Sequence, residues 1–263
     1  MSGGAILVDG LSVNYVEAGA GPAVLFVHGN VGSSLWWREA MVLPGRRAVA
    51  LDMPNFGRSD PVPGFAPESA EIGTYARYVA RFIEELGLDR PVVVAHSLGG
   101  CVAQALVASR PELARALVLV DSGPPSGLVT PKDRHPAIEA MRTDPRVLAG
   151  ALKAMVPTMK DEQWFAALVE DARRMAAPAW IGNAEALSRL DLRGRLGGFG
   201  GPVLVLRGSL DPLITDAMAR ETAAAFPRAR LETLEGVGHS VMAEDPPRFA
   251  RILSEFLSTL VEA

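Results

Sequence analysis

The sequence predicts an α/β fold: a mostly parallel, eight-stranded sheet with helices on both faces and a helical cap inserted between strands 6 and 7. Short apolar runs rich in valine recur along the chain and alternate with segments whose apolar residues follow a helical spacing. Continuous apolar runs suit strands that are covered on both faces of a sheet. A central region without such runs interrupts the alternation and predicts the cap.

Eight segments are typical of strands. The first two, 5–8 and 11–18, meet at Asp9-Gly10, a pair that favours a two-residue hairpin. Long amphipathic helices are predicted over 72–86 and over 249–260, because their apolar residues fall on one helical face. The remaining strands are predicted at 23–27, 48–51, 92–95, 117–120, 203–206 and 229–234.

The chain is expected to divide into a core of residues 1–122 and 197–263 and a cap of residues 123–196. A Gly-Pro-Pro-Ser-Gly stretch at 123–127 ends the regular alternation, and the glycine-rich stretch 197–201 returns the chain to the core. A length of 263 residues suits one large α/β domain. The chain is 49% hydrophobic and 21% charged, which suits a globule with a sizeable core.

The stretch Val-Val-Val-Ala-His-Ser-Leu-Gly-Gly at 92–100 carries the strongest chemical signal. A run typical of a buried strand stops at Ser97, and two glycines begin a segment of good helix formers. Such a sharp strand-to-helix turn exposes a serine hydroxyl beside N–H groups that lack a partner inside the helix. The usual sequence pattern around a nucleophilic serine on such a turn is G-x-S-x-G, and here Ala95 occupies its first position. A serine that merely caps a helix would fit the same residues.

A serine nucleophile needs a base to take its proton and a third group to orient that base. His239 lies in a glycine-rich loop after a predicted strand, and Asp211 follows another. Each of the three residues lies at or beyond a predicted strand end. Their order along the chain, Ser97, Asp211, His239, is the order of nucleophile, acid and base in hydrolases that carry their serine on such a strand-to-helix turn. Asp121, at the end of the sixth predicted strand, is the alternative acid.

Acyl transfer also needs two backbone donors for the oxyanion that forms in the transition state. We expect the N–H of Leu98, directly after Ser97, and the N–H of Asn30, in the loop after the third strand. His28 is a possible second base, but its position before Gly29 favours a structural role that shapes this loop.

Large apolar side chains are expected to form a pocket above Ser97. Thioethers and aromatic rings make an adaptable apolar surface, although each of these side chains could instead belong to a hydrophobic core. Of the adjacent Trp36 and Trp37, one should pack beneath the oxyanion loop and the other face the pocket. The candidate lining residues are Trp37, Met155, Met159, Trp164 and Trp180.

Four blocks of the sequence resemble the α/β-hydrolase superfamily, and within it the serine esterase, lactonase and haloperoxidase-like group. They are His28-Gly29-Asn30, Asp52-Met-Pro-Asn-Phe-Gly-Arg-Ser59, Ala95-His-Ser-Leu-Gly-Gly100, and Asp211 with Gly238-His239. The resemblance covers nearly the whole chain outside about 123–196. Asn55 stands where the second block usually has its first glycine, and asparagine tolerates a positive φ.

The motifs and the resemblance together predict a serine hydrolase that cleaves small, largely apolar carboxylic esters or lactones through an acyl-enzyme. The alternatives are a C–C bond hydrolase or a cofactor-free oxidative, haloperoxidase-like enzyme on the same triad, and a ligand-binding receptor with slow turnover. No His, Cys and Asp cluster has metal-ligand spacing, so we expect no metal and no cofactor.

Composition limits the partners and the compartment. A net charge of -4 gives no reason to expect nucleic acid or an anionic membrane surface as a partner. No apolar run is long enough to span a bilayer, and the first residues lack the pattern of a signal peptide. Cys101 is the single cysteine, which favours a reducing compartment. We therefore expect a cytoplasmic monomer or homodimer whose partner is a small ester or lactone.

Overall fold

An eight-stranded sheet forms the centre of the protein. The structure, a computed structural model, describes residues 2–260, and its strand order is β1-β2-β4-β3-β5-β6-β7-β8. β1 and β2 pair antiparallel, as do β2 and β4, while every other neighbouring pair is parallel. The strands are β1 (Ser2–Val8), β2 (Leu11–Gly19), β3 (Ala23–Val27), β4 (Arg47–Leu51), β5 (Val92–His96), β6 (Ala116–Val120), β7 (Val203–Gly208) and β8 (Ala229–Leu234).

The predicted fold class is confirmed, including the hairpin that begins it. Asp9 and Gly10 both have positive φ, 47° and 85°, which suits a two-residue turn that matches the twist of the flanking strands. The central strands β3, β5 and β6 are buried along almost their whole length, as expected for strands covered on both faces.

Helices cover both faces of the sheet. The amphipathic α1 and α9 turn their apolar residues inward, and α2 is buried along most of its length because it packs behind β5. A 3₁₀ helix over Ser34–Ala40, which the periodicity did not predict, follows β3. The α-helices outside the cap are α1 (Ile72–Glu85), α2 (Leu98–Ser109), α7 (Asp216–Ala224), α8 (Val241–Glu244) and α9 (Pro246–Ser258).

The segment between β6 and β7 is helical, as predicted. Asp144 and Asp161 cap α4 and α5 by accepting hydrogen bonds from Arg146 and Trp164 N–H. The division of the chain into a core and a cap with bounds at 123 and 196 remains a prediction. The four helices are α3 (His135–Thr143), α4 (Pro145–Met155), α5 (Glu162–Ala172) and α6 (Ala177–Arg189).

The parallel arrangement brings distant residues to one edge of the sheet. β5, β6, β7 and β8 are neighbours, so the residues that follow their carboxyl ends lie side by side. These residues include Ser97, Asp121, Asp211 and His239. Open α/β sheets bind ligands at this edge. Within residues 2–260, no helix combines the length and apolar character needed to cross a membrane.

Candidate active site

Ser97 lies at a strained turn between β5 and α2. Its φ of 52° and ψ of -119° fall outside the backbone conformations that residues other than glycine favour. Such a conformation costs about 1–3 kcal/mol of folding free energy, which the surrounding packing must offset. A side chain on Gly99 would collide with the His28 carbonyl, and one on Gly100 with Ser122. The two glycines therefore let α2 begin against the strand ends and hold Ser97 at the apex of the turn.

Asp211 and His239 form a buried hydrogen-bonded pair. His239 Nδ1 lies 2.7 Å from Asp211 Oδ2. The other carboxylate oxygen accepts hydrogen bonds from Leu213 N–H at 2.7 Å and Ile214 N–H at 3.0 Å. Because the carboxylate accepts a hydrogen bond from Nδ1–H, the tautomer of the neutral imidazole that it favours has its lone pair on Nε2.

The loop that carries His239 is held by a residue that the sequence analysis missed. The buried Glu244 carboxylate accepts from Gly238 N–H at 3.1 Å and Ser240 N–H at 3.0 Å, on either side of His239. It also accepts from the backbone N–H and hydroxyl of Thr158, after α4. The available sequence signal was an acidic residue four positions after Ser240, in a short helix.

His239 is also tied to the cap and to β5. Its N–H donates to the Met155 carbonyl oxygen at 2.8 Å, and its own carbonyl accepts from His96 Nε2 at 2.9 Å. Burial, with the Coulombic interaction with His239 as a smaller cause, lowers the pKa of His96 to about 3. His96 is therefore neutral, and it fixes the backbone of the histidine loop.

Two N–H groups are free at the place where the sequence predicts the oxyanion hole. In the described part of the chain, neither Asn30 N–H nor Leu98 N–H donates to a protein acceptor. Leu98 begins α2 directly after Ser97, and Asn30 follows β3. Gly29, next to Asn30, packs so closely on His96 and Ser97 that a side chain there would collide with His96.

A buried polar network connects Asn30 to the cap. Asn183, on α6, donates its amide N–H to Asn30 Oδ1 at 2.8 Å and accepts from the Tyr75 hydroxyl at 2.8 Å. Asn55 in turn donates to the Tyr75 hydroxyl at 2.9 Å. Asn55 has a φ of 77°, as expected for a residue in place of a glycine. The roles of Tyr75 and Asn183 in this network were not predicted from the sequence.

His28 and Asp52 have structural contacts. The His28 Nδ1–H donates to the Gly29 carbonyl at 2.8 Å, and its Nε2 accepts from Met53 N–H at 2.9 Å. With both ring nitrogens engaged and the pKa lowered by burial, His28 is unsuited to act as a base. Asp52 accepts from Ser34 N–H at 2.8 Å and from Arg58 N–H at 3.0 Å.

A largely apolar cavity of about 260 Å³ lies against Ser97 and His239. Among the described residues the Ser97 hydroxyl has no hydrogen-bond partner, and it shares the cavity wall with the His239 imidazole. The roof consists of side chains from α3 and α4. The lining residues are Asn30, Val31, Trp36, His96, Ser97, Met141, Leu148, Ala151, Leu152, Met155, Leu213, His239 and Ser240.

Of the five side chains expected to line the pocket, only Met155 lies on the cavity wall. Met159, Trp164 and Trp180 are at most 3% exposed and belong to the hydrophobic core. The reason is that α4, with the end of α3, forms the roof, while α5 and α6 pack beside it. Trp37 is fully buried in the core.

The two adjacent tryptophans point in different directions. Trp36 lines the cavity and stacks on His96, with ring centroids 6.0 Å apart. Trp37 packs against Phe26 and Phe249 beneath the loop. A 3₁₀ helix turns by about 120° per residue, so neighbouring side chains cannot share a face. The pocket residue is therefore Trp36, instead of the expected Trp37.

Asp121 lies behind the Asp211–His239 pair. One ligand atom from each of Asp121, Asp211 and His239 lies within 4.8 Å of the other two, close enough to hold a metal ion. However, Asp211 and His239 already bond to each other, and Asp121 Oδ1 accepts from Gly208 N–H at 2.8 Å. Of the two candidate acids, Asp211 is therefore the one that hydrogen-bonds to His239, whereas Asp121 binds the backbone at the end of β7.

Comparisons with known proteins show which proteins the chain resembles. The chain is 28% identical over 265 residues to a dihydrolipoyllysine-residue acetyltransferase component of an acetoin cleaving system from Cupriavidus necator, covering 95% of this chain and 67% of the relative. It is 26% identical over 270 residues to a pimeloyl-acyl-carrier-protein methyl ester esterase from Aeromonas hydrophila, covering 94% of this chain and 100% of the relative. It spans only 13% of a matched polyketide synthase from Burkholderia thailandensis.

A solved structure shares the fold over almost the full length. An esterase from Exiguobacterium antarcticum superimposes with a TM-score of 0.84 at 23% identity, covering 97% of this chain and 98% of that one. The model of the alpha/beta hydrolase family matches residues 24–252. The chain therefore belongs to the alpha/beta hydrolase family.

Proposed function

We propose that the protein is a serine hydrolase that cleaves small, largely apolar carboxylic esters or lactones. The observation that carries this proposal is that the strained Ser97 and the Asp211-bonded His239 open onto one apolar cavity. The esterase names of a relative and of a structural neighbour support the same class of reaction.

The reaction follows from the geometry of the site. His239 Nε2 takes the Ser97 proton while Oγ attacks the substrate carbonyl, and Asp211 stabilises the imidazolium through Nδ1–H. The free N–H groups of Asn30 and Leu98 donate to the oxyanion. The tetrahedral intermediate then expels the alcohol, which receives the proton from His239. Water, activated by the same imidazole, hydrolyses the acyl-enzyme and regenerates Ser97.

The size and the lining of the cavity favour a substrate with a small, uncharged acyl group. Its volume of about 260 Å³ is at the lower end for ligand pockets. Among the described residues, its lining contains no Lys, Arg, Asp or Glu, so a charged acyl group would lose its hydration without gaining a partner. Methionine, leucine and alanine side chains on α3 and α4 instead suit hydrocarbon.

The decisive experiment removes the Ser97 hydroxyl. Ser97→Ala should fold normally and lose turnover of p-nitrophenyl esters and lactones by roughly 10⁴-fold or more, since the triad acts as a unit. A fluorophosphonate probe should label the wild type at Ser97 and leave the variant unlabelled.

Ser240→Ala is the matched control, because Ser240 is a second buried serine on the same cavity wall. This variant should keep most of its turnover and its labelling. Retained activity in Ser97→Ala would contradict the proposal, as would a wild type that is labelled once but has no steady-state turnover of any ester or lactone.

A further inference from the structure

Asp121 is a buried carboxyl without a cation to balance it. The residue is 1% exposed, and its Oδ2 has no hydrogen-bond donor among the described residues. A carboxylate oxygen of Asp121 lies within 4.8 Å of one of Asp211, and a hydrogen bond to Asp211 is among the causes that raise the pKa of Asp121. The charged groups that face Asp121 are Asp211 after β7, Glu244 on α8 and, beyond Asp211, His239 after β8. Neither aspartate forms an ion pair with a lysine or arginine in the described part of the chain.

Two carboxyls this close in a buried site cannot both be ionised, so one of them holds a proton. The hydrogen-bond donors decide which one. Asp211 accepts three N–H bonds, from Leu213, Ile214 and His239, whereas Asp121 accepts one, from Gly208. Each N–H donor favours the charged carboxylate, so Asp211 is the ionised member of the pair and Asp121 the neutral one.

The electrostatic surroundings agree with this assignment. Burial, and then the charge of Asp211, raises the pKa of Asp121 well above its ordinary value. Burial also acts to raise the pKa of Asp211, but the bond to His239, its charge and the two backbone N–H groups outweigh burial and leave that pKa below its ordinary value.

We propose that Asp121 is a positioning residue, a neutral carboxylic acid whose Oδ2–H donates a hydrogen bond to the Asp211 carboxylate. This bond gives Asp211 a fourth donor and fixes the carboxylate plane that faces His239 Nδ1. The Asp121 proton stays on Asp121 throughout turnover. The catalytic consequence rests on the proposed hydrolase function, whereas the protonation state does not.

A matched pair of isosteric variants tests the proposal. Asp121→Asn keeps an acceptor for Gly208 N–H and replaces the Oδ2–H donor with an amide N–H, and asparagine tolerates the φ of 45° at this position. It should retain kcat within a few-fold, with an unchanged pH profile. Asp211→Asn should lose about 10³- to 10⁴-fold in kcat, because the imidazole takes the wrong tautomer.

A third variant removes the donor without straining the backbone. Asp121→Gly accepts the positive φ and leaves Asp211 without its fourth donor, so kcat should fall by roughly five- to tenfold, as expected for one lost hydrogen bond. The pH profile of this variant should shift relative to that of the wild type. A wild-type rate and pH profile in Asp121→Gly would overturn the positioning role.

Infrared spectroscopy tests the protonation state without any substrate. Wild-type protein with ¹³C-labelled aspartate should show the C=O stretch of a protonated carboxyl near neutral pH, and Asp121→Asn should lack that band. Absence of the band from the wild type would overturn the proposal, and so would Asp121→Asn losing as much kcat as Asp211→Asn. Failure of the proposed function is recognised separately, by a wild type that neither turns over esters nor reacts with fluorophosphonate.

Discussion

His96 joins the strand before Ser97 to the loop that carries His239. Its ring is buried, its Nε2 donates to the His239 carbonyl, and its Nδ1 has no partner among the described residues. A proton on Nδ1 would therefore be buried without an acceptor. This is the physical reason that the pKa of His96 lies far below its ordinary value.

The low pKa predicts how stability depends on pH. The folded pKa of about 3 is below the ordinary value of 6.5, so below pH 6.5 the unfolded chain binds a proton that the folded protein does not. The free energy of unfolding should therefore fall as pH decreases, by up to about 1.4 kcal/mol per pH unit from this residue. His28, whose pKa is also lowered by burial, adds to the same slope.

Thermal melting between pH 6.5 and about pH 5, above the range in which most carboxylates titrate, measures this slope. His96→Asn should melt at a lower temperature at every pH, because stacking on Trp36 is lost, but its melting temperature should depend less steeply on pH. An equal or steeper slope in the variant would contradict a neutral, buried His96.

At the level of single residues, the sequence predicts those whose chemistry is local in the chain. Ser97 is a candidate nucleophile because of its strand-to-helix turn, and the structure bears out this turn and the pairing of Asp211 with His239, both of which follow predicted strands. Asn183 was not, because its partners Tyr75 and Asn30 lie 108 and 153 positions away. A single sequence without tertiary contacts carries no signal for such a bond.

The elements of the cap differ in what they do for the cavity. Met155, at the end of α4, lies on the cavity wall, whereas Met159, four residues later, is 3% exposed inside the cap. The same substitution at these two positions therefore separates a role in the pocket from a role in packing.

Met155→Ala should enlarge the cavity and shift the preference among p-nitrophenyl esters toward longer acyl chains. One methylene of apolar contact changes discrimination by about 1–3 kcal/mol. Met159→Ala should lower the free energy of unfolding by about 2–5 kcal/mol and leave the chain-length profile unchanged. The measurements are kcat/KM over the ester series and a denaturation curve for each variant. Equal chain-length profiles in the two variants would contradict the assignment of α4 as the roof.

The bond between α6 and the oxyanion loop predicts a link between the cap and the rate. Asn183→Leu leaves Asn30 Oδ1 without its donor and the Tyr75 O–H without its acceptor, at a cost of about 1–3 kcal/mol for each buried group left unsatisfied. Because Asn30 then loses its anchor, kcat should fall on the order of 10- to 100-fold.

Tyr75→Phe is the matched control for this variant. It removes the hydroxyl from the same network but leaves the bond between Asn183 and Asn30 in place, so stability should fall while kcat changes much less. If Tyr75→Phe lost as much kcat as Asn183→Leu, the network would act through general stability instead of through Asn30.

At the level of elements, the strands were predictable and the cap was only partly so. Each strand is a local apolar run, and even the hairpin at Asp9-Gly10 follows from two adjacent residues. The 3₁₀ helix over Ser34–Ala40 has no such pattern, so the orientations of Trp36 and Trp37 could not be assigned. The roof of the cavity depends on how four helices pack, which their periodicity does not specify.

One hydrophobic core runs through the whole molecule. Buried residues of the sheet, of the flanking helices and of the cap, including Leu152 and Trp164, form one contiguous cluster. Hydrogen bonds from Glu244 to Thr158 and from Asn183 to Asn30 cross between the cap and the rest of the chain. The buried residues of the segment between β6 and β7 are therefore continuous with those of the sheet.

This predicts that the cap and the sheet unfold together. Calorimetry should give one transition whose calorimetric enthalpy equals the van't Hoff enthalpy, and tryptophan fluorescence should change together with far-ultraviolet circular dichroism. Two of the four tryptophans, Trp164 and Trp180, lie between β6 and β7, so loss of structure there changes the fluorescence, whereas the ellipticity reports on the whole chain. An early fluorescence transition without the corresponding loss of ellipticity would contradict a shared core.

The hydrogen bond from His239 N–H to the Met155 carbonyl ties the roof of the cavity to the residue proposed as its base. We expect a compound too large for the cavity to displace the end of α4 outward and so to pull the histidine loop away from Asp211. Such a compound should inactivate the site that it occupies. Size selection should therefore act on turnover as well as on affinity, and the bulkiest close relatives of the substrates should behave as inhibitors.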